Sequence, residues 1–263
     1  MKKVVLMLAV GGLMLATPSC KKGENDPFMS LKSRKGRVAG EYTITGYESS
    51  YTYTSGSGAS NSSTEVLAGN TITETYTSTP SGGGSSTSST TTTTLNLGEF
   101  TFDKDGTFSM TWNTTSVDVD VQTFGIYTST TTSTTVNTMT QTGTWNFLGK
   151  VDEYKNKERM VINVLSNHST DVTDAVTVTT DGSGGSVTTT TKGDLDDDTY
   201  AYSDGENSTI FEIDMLKGKE MTFVQIGGGS NIYKTTDNSG STAVTTTSTS
   251  TDSWTSTWTL TQK

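Results

Sequence analysis

Oily side chains fall at every second position in run after run of this sequence. Phe100 and Phe102 flank Thr101, and Phe108, Met110 and Trp112 alternate with Ser109 and Thr111. Trp145 and Phe147 flank Asn146. Met160, Ile162 and Val164 share one side of their segment, with Val161 and Leu165 on the other. The pattern returns at Phe211, Ile213 and Met215, at Met221 and Phe223 ahead of Val224 and Ile226, and at Trp254, Trp258 and Leu260. A two-residue period is that of a β-strand with one face in a core and the other in water. No segment of the mature body carries the helical period. The expectation is an all-β protein, an antiparallel up-and-down meander covering one core.

Only 30 % of the chain is hydrophobic, so core material is scarce. Threonine makes up roughly a fifth of the residues, and its branched Cβ suits a strand while its hydroxyl stays compatible with water. Closing the sheet into a barrel removes its edges with few apolar residues. Asp103-Lys104-Asp105-Gly106 is the clearest hairpin turn, with glycine where a positive φ is needed. Further turns are read at Gly69-Asn70, Gly149 to Lys157, Ser203 to Asn207 and Gly227 to Ser230. The Thr/Ser/Gly-rich runs lie at Ser55–Ser63, Thr79–Thr94, Thr128–Thr135, Val178–Thr191 and Asp237–Thr251. Strict alternation of direction sends all of these runs to one end of the sheet and the ordinary turns to the other. It also sends the Lys217–Glu220 turn to the Thr-rich end. The count reaches about twelve strands, more than a small closed barrel holds, so some are expected as hairpin extensions beyond the barrel wall.

The first nineteen residues read as a targeting segment. Lys2 and Lys3 precede an apolar stretch, Val4 to Leu15, too short to span a membrane. Small residues then lead to Cys20, the single cysteine, an arrangement that resembles the cleavage and acylation site of bacterial lipoproteins. The reading is a signal peptide over 1–19, a lipidated Cys20 opening a basic tether over 20–39, and a β-domain over 40–263. One cysteine allows no disulfide framework. The first 37 residues hold eight of the 18 Lys and Arg but two of the 28 Asp and Glu, so the body from Val38 onward stands at −16. Such a body repels nucleic-acid phosphates. The basic tether suits an anionic lipid surface or plain solvent equally. Lys21 after the cysteine, with no Asp there, places the expected anchor in the outer membrane.

Three features resemble the lipocalin-like lipoproteins of Gram-negative outer membranes. One is the stretch from Lys21 through Lys35 that leads to Gly40-Glu41-Tyr42, where lipocalins have a short helical turn and then Gly-x-Trp. The second is Phe100-Thr101-Phe102-Asp103-Lys104-Asp105-Gly106-Thr107-Phe108. The third is Gly143-Thr144-Trp145 with the closing Trp258-Thr259-Leu260. The resemblance covers about half of the mature chain and leaves the Thr-rich runs as insertions. It implies a calyx-like barrel able to hold a small apolar ligand, and carries over no particular ligand.

Within that frame the aromatic stripe Phe100, Phe102, Phe108, Trp112, Trp145 and Phe147 is first a core, and then the candidate lining of a ligand cavity. His168, the only histidine, reads as an exposed turn residue; Asp171 or Asp174 is the candidate partner, and no nucleophile is marked. Asp194-Leu195-Asp196-Asp197-Asp198 lacks the glycine and glutamate of an EF-hand loop and reads as a solvated acidic loop. No metal, cofactor or catalytic constellation is expected, and the chain is read as a non-enzyme. Two functions remain open: a membrane-anchored binding module for a small apolar or amphipathic ligand, and a surface protein contacting glycans or proteins through its Thr-rich tips.

Overall fold

The computed structural model describes residues 34–82, 84–149, 158–237 and 244–263. A five-residue helix, α1 (Arg34–Val38), leads into β1 (Gly40–Ser55), β2 (Ser60–Ala68), β3 (Thr71–Thr79) and β4 (Thr87–Phe102). Then come β5 (Thr107–Phe124), β6 (Tyr127–Phe147), β7 (Glu158–Thr180) and the short β8 (Ser186–Thr191) and β9 (Leu195–Ala201). The chain ends with β10 (Ser208–Lys217), β11 (Glu220–Asp237) and β12 (Val244–Gln262). Every pairing among the described residues is antiparallel.

Eight of the strands close a ring, in the order β1, β4, β5, β6, β7, β10, β11, β12 and back to β1. Two contacts complete it: β1 meets β4 over Gly40–Thr43 and Glu99–Phe102, and β7 meets β10 over Glu158–Asn163 and Ser208–Ile213. An eight-stranded barrel has an interior just wide enough for side chains or one small ligand. All buried apolar side chains of the ring point into it, among them Tyr42, Phe100, Phe102, Trp145, Met160, Ile162, Met221, Phe223 and Leu260. The all-β meander closing into a barrel is therefore present, as the alternation predicts.

Ring closure is confined to one end, which we call the lower end. Above it β1 and β4 part at irregularities between Ile44 and Gly46 and between Leu95 and Leu97. Bulges bend strands, and here the bend makes room for the β2–β3 hairpin, wedged between upper β1 and upper β4. Leu67 and Ile72 at its tip are buried and join the core. On the far side, β8, β9 and β10 follow one another down β7, all antiparallel to it. At ~3.4 Å per residue the 23 residues of β7 extend roughly 75 Å, more than twice the height of the closed part.

The described residues of all five Thr-rich runs lie at the upper end, as strict alternation of direction requires. Three turn readings need correction. Ser203–Asn207 does not reverse the chain. Buried Asn163 holds this excursion against β7, its Oδ1 accepting from the Gly205 amide (3.1 Å) and the Ser208 hydroxyl (3.0 Å). The amides of Tyr202 and Val164 bond Leu165 and Asn207 carbonyls on either side of it. Gly227–Ser230 is no turn either: it runs straight within β11, paired to Trp254–Thr251. The Trp254 indole lies against Gly227, where a Cβ would collide with the ring. With those two reversals gone, Lys217–Glu220 turns at the lower end, beside Gln262.

Above the ring the wall divides. The β4–β5 ladder stops at Thr93–Ser116, so β5 from Val117 to Phe124 pairs only with β6. Val117, Val119 and Val121 stand 56–58 % exposed along this open edge. A flat apolar edge invites another strand, and the alternating Asp118 and Asp120 oppose that by charge. Replacing both (Asp118→Thr with Asp120→Thr) is expected to shift the protein toward larger species in sedimentation velocity at equal concentration. An unchanged distribution would show that the carboxylates do not guard the edge.

Candidate functional site

The lower end is sealed. α1 crosses beneath the barrel and buries Val38 completely. The Tyr42 hydroxyl, near the start of β1, donates to the Val38 carbonyl at 2.9 Å. Burial pushes the Tyr42 phenol up to about 12. Arg37 lies 3.6 Å from Glu158, with both side chains largely buried, and the Lys35 ammonium sits 5.6 Å over the Trp145 ring. Trp145 donates from Nε1 to the Asp103 carbonyl at 3.0 Å, tying the floor to the Asp103–Gly106 turn. Asp105 accepts from the amide and hydroxyl of Thr107, bonds that hold its carboxyl below the usual range. The folded unit therefore includes Arg34 to Ala39, which the sequence reading assigned to the tether. Lys35 and Arg37 belong to the floor, while Cys20 lies outside the described residues.

Above the floor is a cavity of about 240 Å³. Its apolar walls come from six of the eight ring strands: Phe100, Phe108 and Met110, then Met139, Ile162 and Val164, then Phe211 and Trp258. Gln141, Thr209 and Gln225 supply its polar border. These three are only partly covered, whereas Phe102, Trp145, Met160, Met221 and Leu260 below are 0–2 % exposed. The cavity thus opens upward, toward the Thr-rich end. The β10–β11 ladder has ended at Glu212–Val224, so Thr209 and Gln225 border the cavity where those strands are no longer paired.

Of the six aromatics singled out from sequence, Phe100 and Phe108 line the cavity. Phe102 and Trp145 lie beneath it in edge-to-face contact, ring centres 5.6 Å apart. Phe147 packs on the Trp145 edge at 5.8 Å, and Trp112 sits above, against Trp258 at 5.7 Å. The lining from β6, β7, β10 and β12 was not legible as such. Those strands signal burial by the same two-residue period, and nothing in that period separates a floor residue from a wall residue.

The upper rim has its own chemistry. Tyr47 packs on Trp258 (4.4 Å) and Trp112 (6.0 Å), three rings roofing one side of the cavity. The Tyr47 hydroxyl donates to Glu65 at 3.1 Å, and the Ser49 hydroxyl donates to the same carboxylate oxygen at 3.0 Å. Burial, with the Glu65 charge adding to it, pushes the Tyr47 phenol up to about 12. Glu65 stands directly opposite Glu74 across the β2–β3 hairpin.

The other polar candidates lie elsewhere. His168 is in the middle of β7, not in a turn, and its Nε2 is 2.8 Å from Asp197, not from Asp171 or Asp174. Asp196 to Asp198 belong to strand β9, with Asp196 opposite Asp171; the expected acidic loop is thus largely strand. Asp174 is bonded by Lys192 and the Gly193 amide, which lower its pKa. Among the described residues no cluster of three or more His, Cys, Asp or Glu is placed to hold a metal ion.

No family model and no curated protein matches the chain. Among solved structures it aligns with the TodX monoaromatic hydrocarbon channel deltaS2 mutant, at 7 % identity over 91 % of this chain and 93 % of that one, with a TM-score of 0.19. A score that low carries no inference about this chain.

The floor makes a testable claim. Tyr42 is easier to ionise unfolded than folded, so its contribution is complete below pH 10 and is lost as pH rises toward 12. Tyr42→Phe should lower stability near neutrality by about 1 kcal/mol through the lost hydrogen bond, and should flatten the alkaline decline in urea midpoints measured from pH 9 to 12. An equally steep decline in the variant would remove Tyr42 from that role.

Proposed function

We propose that this protein is a non-catalytic binding module that takes one small apolar or amphipathic molecule into its barrel, and that it is a lipocalin-like lipoprotein tethered to the outer membrane through Cys20. The observation that carries the binding reading is the apolar cavity above a sealed floor. Its size limits the guest. An apolar cavity of about 150 Å³ accommodates benzene, and drug-sized pockets start near 300 Å³. At about 240 Å³ the barrel suits a single ring with a short substituent, or an aliphatic chain of similar bulk, rather than a whole lipid. Gln141, Thr209 and Gln225 can meet one polar group at the upper side.

Placement supports the same reading. α1 and the start of β1 are at the lower end, so a tether through residues 20–33 arrives there and the opening faces away from the membrane. The alternative, a surface protein contacting glycans or proteins, finds support in upper strands with both faces in solvent, such as Val187–Thr191 and residues 117–124 of β5. That reading needs no cavity.

Trp258 lines the cavity, so occupancy should change its fluorescence. Titration with 2-phenylethanol is expected to give a saturable change in wild type. In Val164→Phe, which fills space in the wall, affinity should fall at least tenfold while the far-ultraviolet spectrum stays that of the wild type. Equal binding by both proteins would place the site elsewhere and remove the cavity reading.

A further inference from the structure

The cavity opens beneath a face that carries one sign of charge. Following the two-residue period upward from the lining residues, the side chains on the cavity side of β1, β2, β3 and β12 form alternating rows. The first row holds Tyr47 and Trp258. The next runs Gln225, Ser256, Ser49, Glu65, Glu74. The third runs Gly227, Trp254, Tyr51, Ser63, Tyr76. Aromatic faces and carboxylates therefore alternate directly above the opening. On the opposite part of the wall the same parity places Asp118 on β5, Asp171 on β7 and Asp196 on β9.

Cations are absent from that face among the described residues. Lys35, Arg37, Lys104, Arg159, Lys217, Lys219 and Lys263 all lie at the lower end. Lys192, the upper-end lysine whose side chain is described, is engaged with Asp174, whose parity is that of the outer face. Opposed like charges such as Glu65 and Glu74 destabilise a hairpin, so their retention beside the opening calls for a counter-charge. Glu65 already has two hydroxyl donors, which fix its carboxylate one tyrosine ring away from Trp258 and the cavity.

We propose that the guest is a small organic cation, an amine or quaternary ammonium with an apolar body of about one ring. Its apolar part enters the cavity and its positive group stays at the Glu65–Glu74 rim against Tyr47 and Trp258. Two effects cooperate in selecting it. Carboxylates around a low-dielectric opening concentrate cations there, and aromatic faces attract them further. This rests on the cavity reading proposed above and adds to it the charge of the ligand.

Three probes of nearly equal bulk test it: 2-phenylethylamine, 2-phenylethanol and phenylacetate, titrated into the purified protein by calorimetry. The amine should bind about tenfold more tightly than the alcohol, the size expected for a charge pair at the rim, and phenylacetate more weakly than either. Raising salt from 0.05 to about 0.5 M should narrow the spread. Glu65→Gln with Glu74→Gln should bring the ratio of amine to alcohol affinity down to about one. An alcohol that matches or exceeds the amine in wild type overturns the charge assignment and leaves the cavity reading standing. Failure of all three to bind overturns both.

Discussion

Everything else in this molecule depends on where a small supply of apolar side chains is placed. With 30 % hydrophobic residues, the chain cannot bury a core along strands that reach 23 residues. It concentrates that core in the lower third. Trp145, Tyr42, Phe102, Phe223, Met160, Met221, Leu260 and Val38 are its largest fully buried side chains, and all sit at or just above the floor. The rings meet edge to face, Tyr42 on Phe102 and Phe102 on Trp145, geometry that adds to burial alone. The polar atoms of this cluster are satisfied by backbone carbonyls, the Trp145 indole by Asp103 and the Tyr42 hydroxyl by Val38.

That placement explains why the barrel is closed at one end only. Ring closure needs side chains to fill the interior, and it persists as far as such side chains do. Above Ile44 and Phe100, where fully buried side chains give way to half-buried ones such as Tyr47 and then to hydroxyls and carboxylates, bulges open the wall and hairpins extend it. The extensions hold together through backbone ladders and hydroxyl contacts such as Thr135 to Thr173 at 2.7 Å, with little to bury. Between floor and extensions lies the level where the core gives out and the wall begins to open, between β10 and β11 past Glu212–Val224. The cavity is at that level, with Phe211 and Ile162 below and Gln141 and Gln225 above.

The fold class, the Asp103–Gly106 hairpin and the polarity of the Thr-rich runs were legible because each follows from local chemistry: a two-residue period, a turn glycine, the alternation of direction. What was not legible depended on partners distant in sequence. Ser203–Asn207 has the composition of a reversal, and only the Asn163 side chain, 41 residues from Asp204, makes it an excursion within one strand line. The glycines at 227–229 look like a turn, and only the Trp254 ring across the ladder gives Gly227 its reason. Arg37 reads as part of the basic tether because its partner, Glu158, is far along the chain. In the candidate site the same limit applied: Phe100 and Phe108 were named, but Phe211 and Trp258 reach the cavity only through ring closure.

The account stands on a core confined to the lower end, and native-state hydrogen exchange along β7 reads it most directly, since one strand runs from floor to tip. Amides from Met160 to Val164 should exchange only by global unfolding, and those from Thr173 to Thr180 should open locally and exchange orders of magnitude faster. Uniform slow exchange from Met160 to Thr180 would mean that the Thr-rich extension is as firmly held as the floor, and would contradict the account.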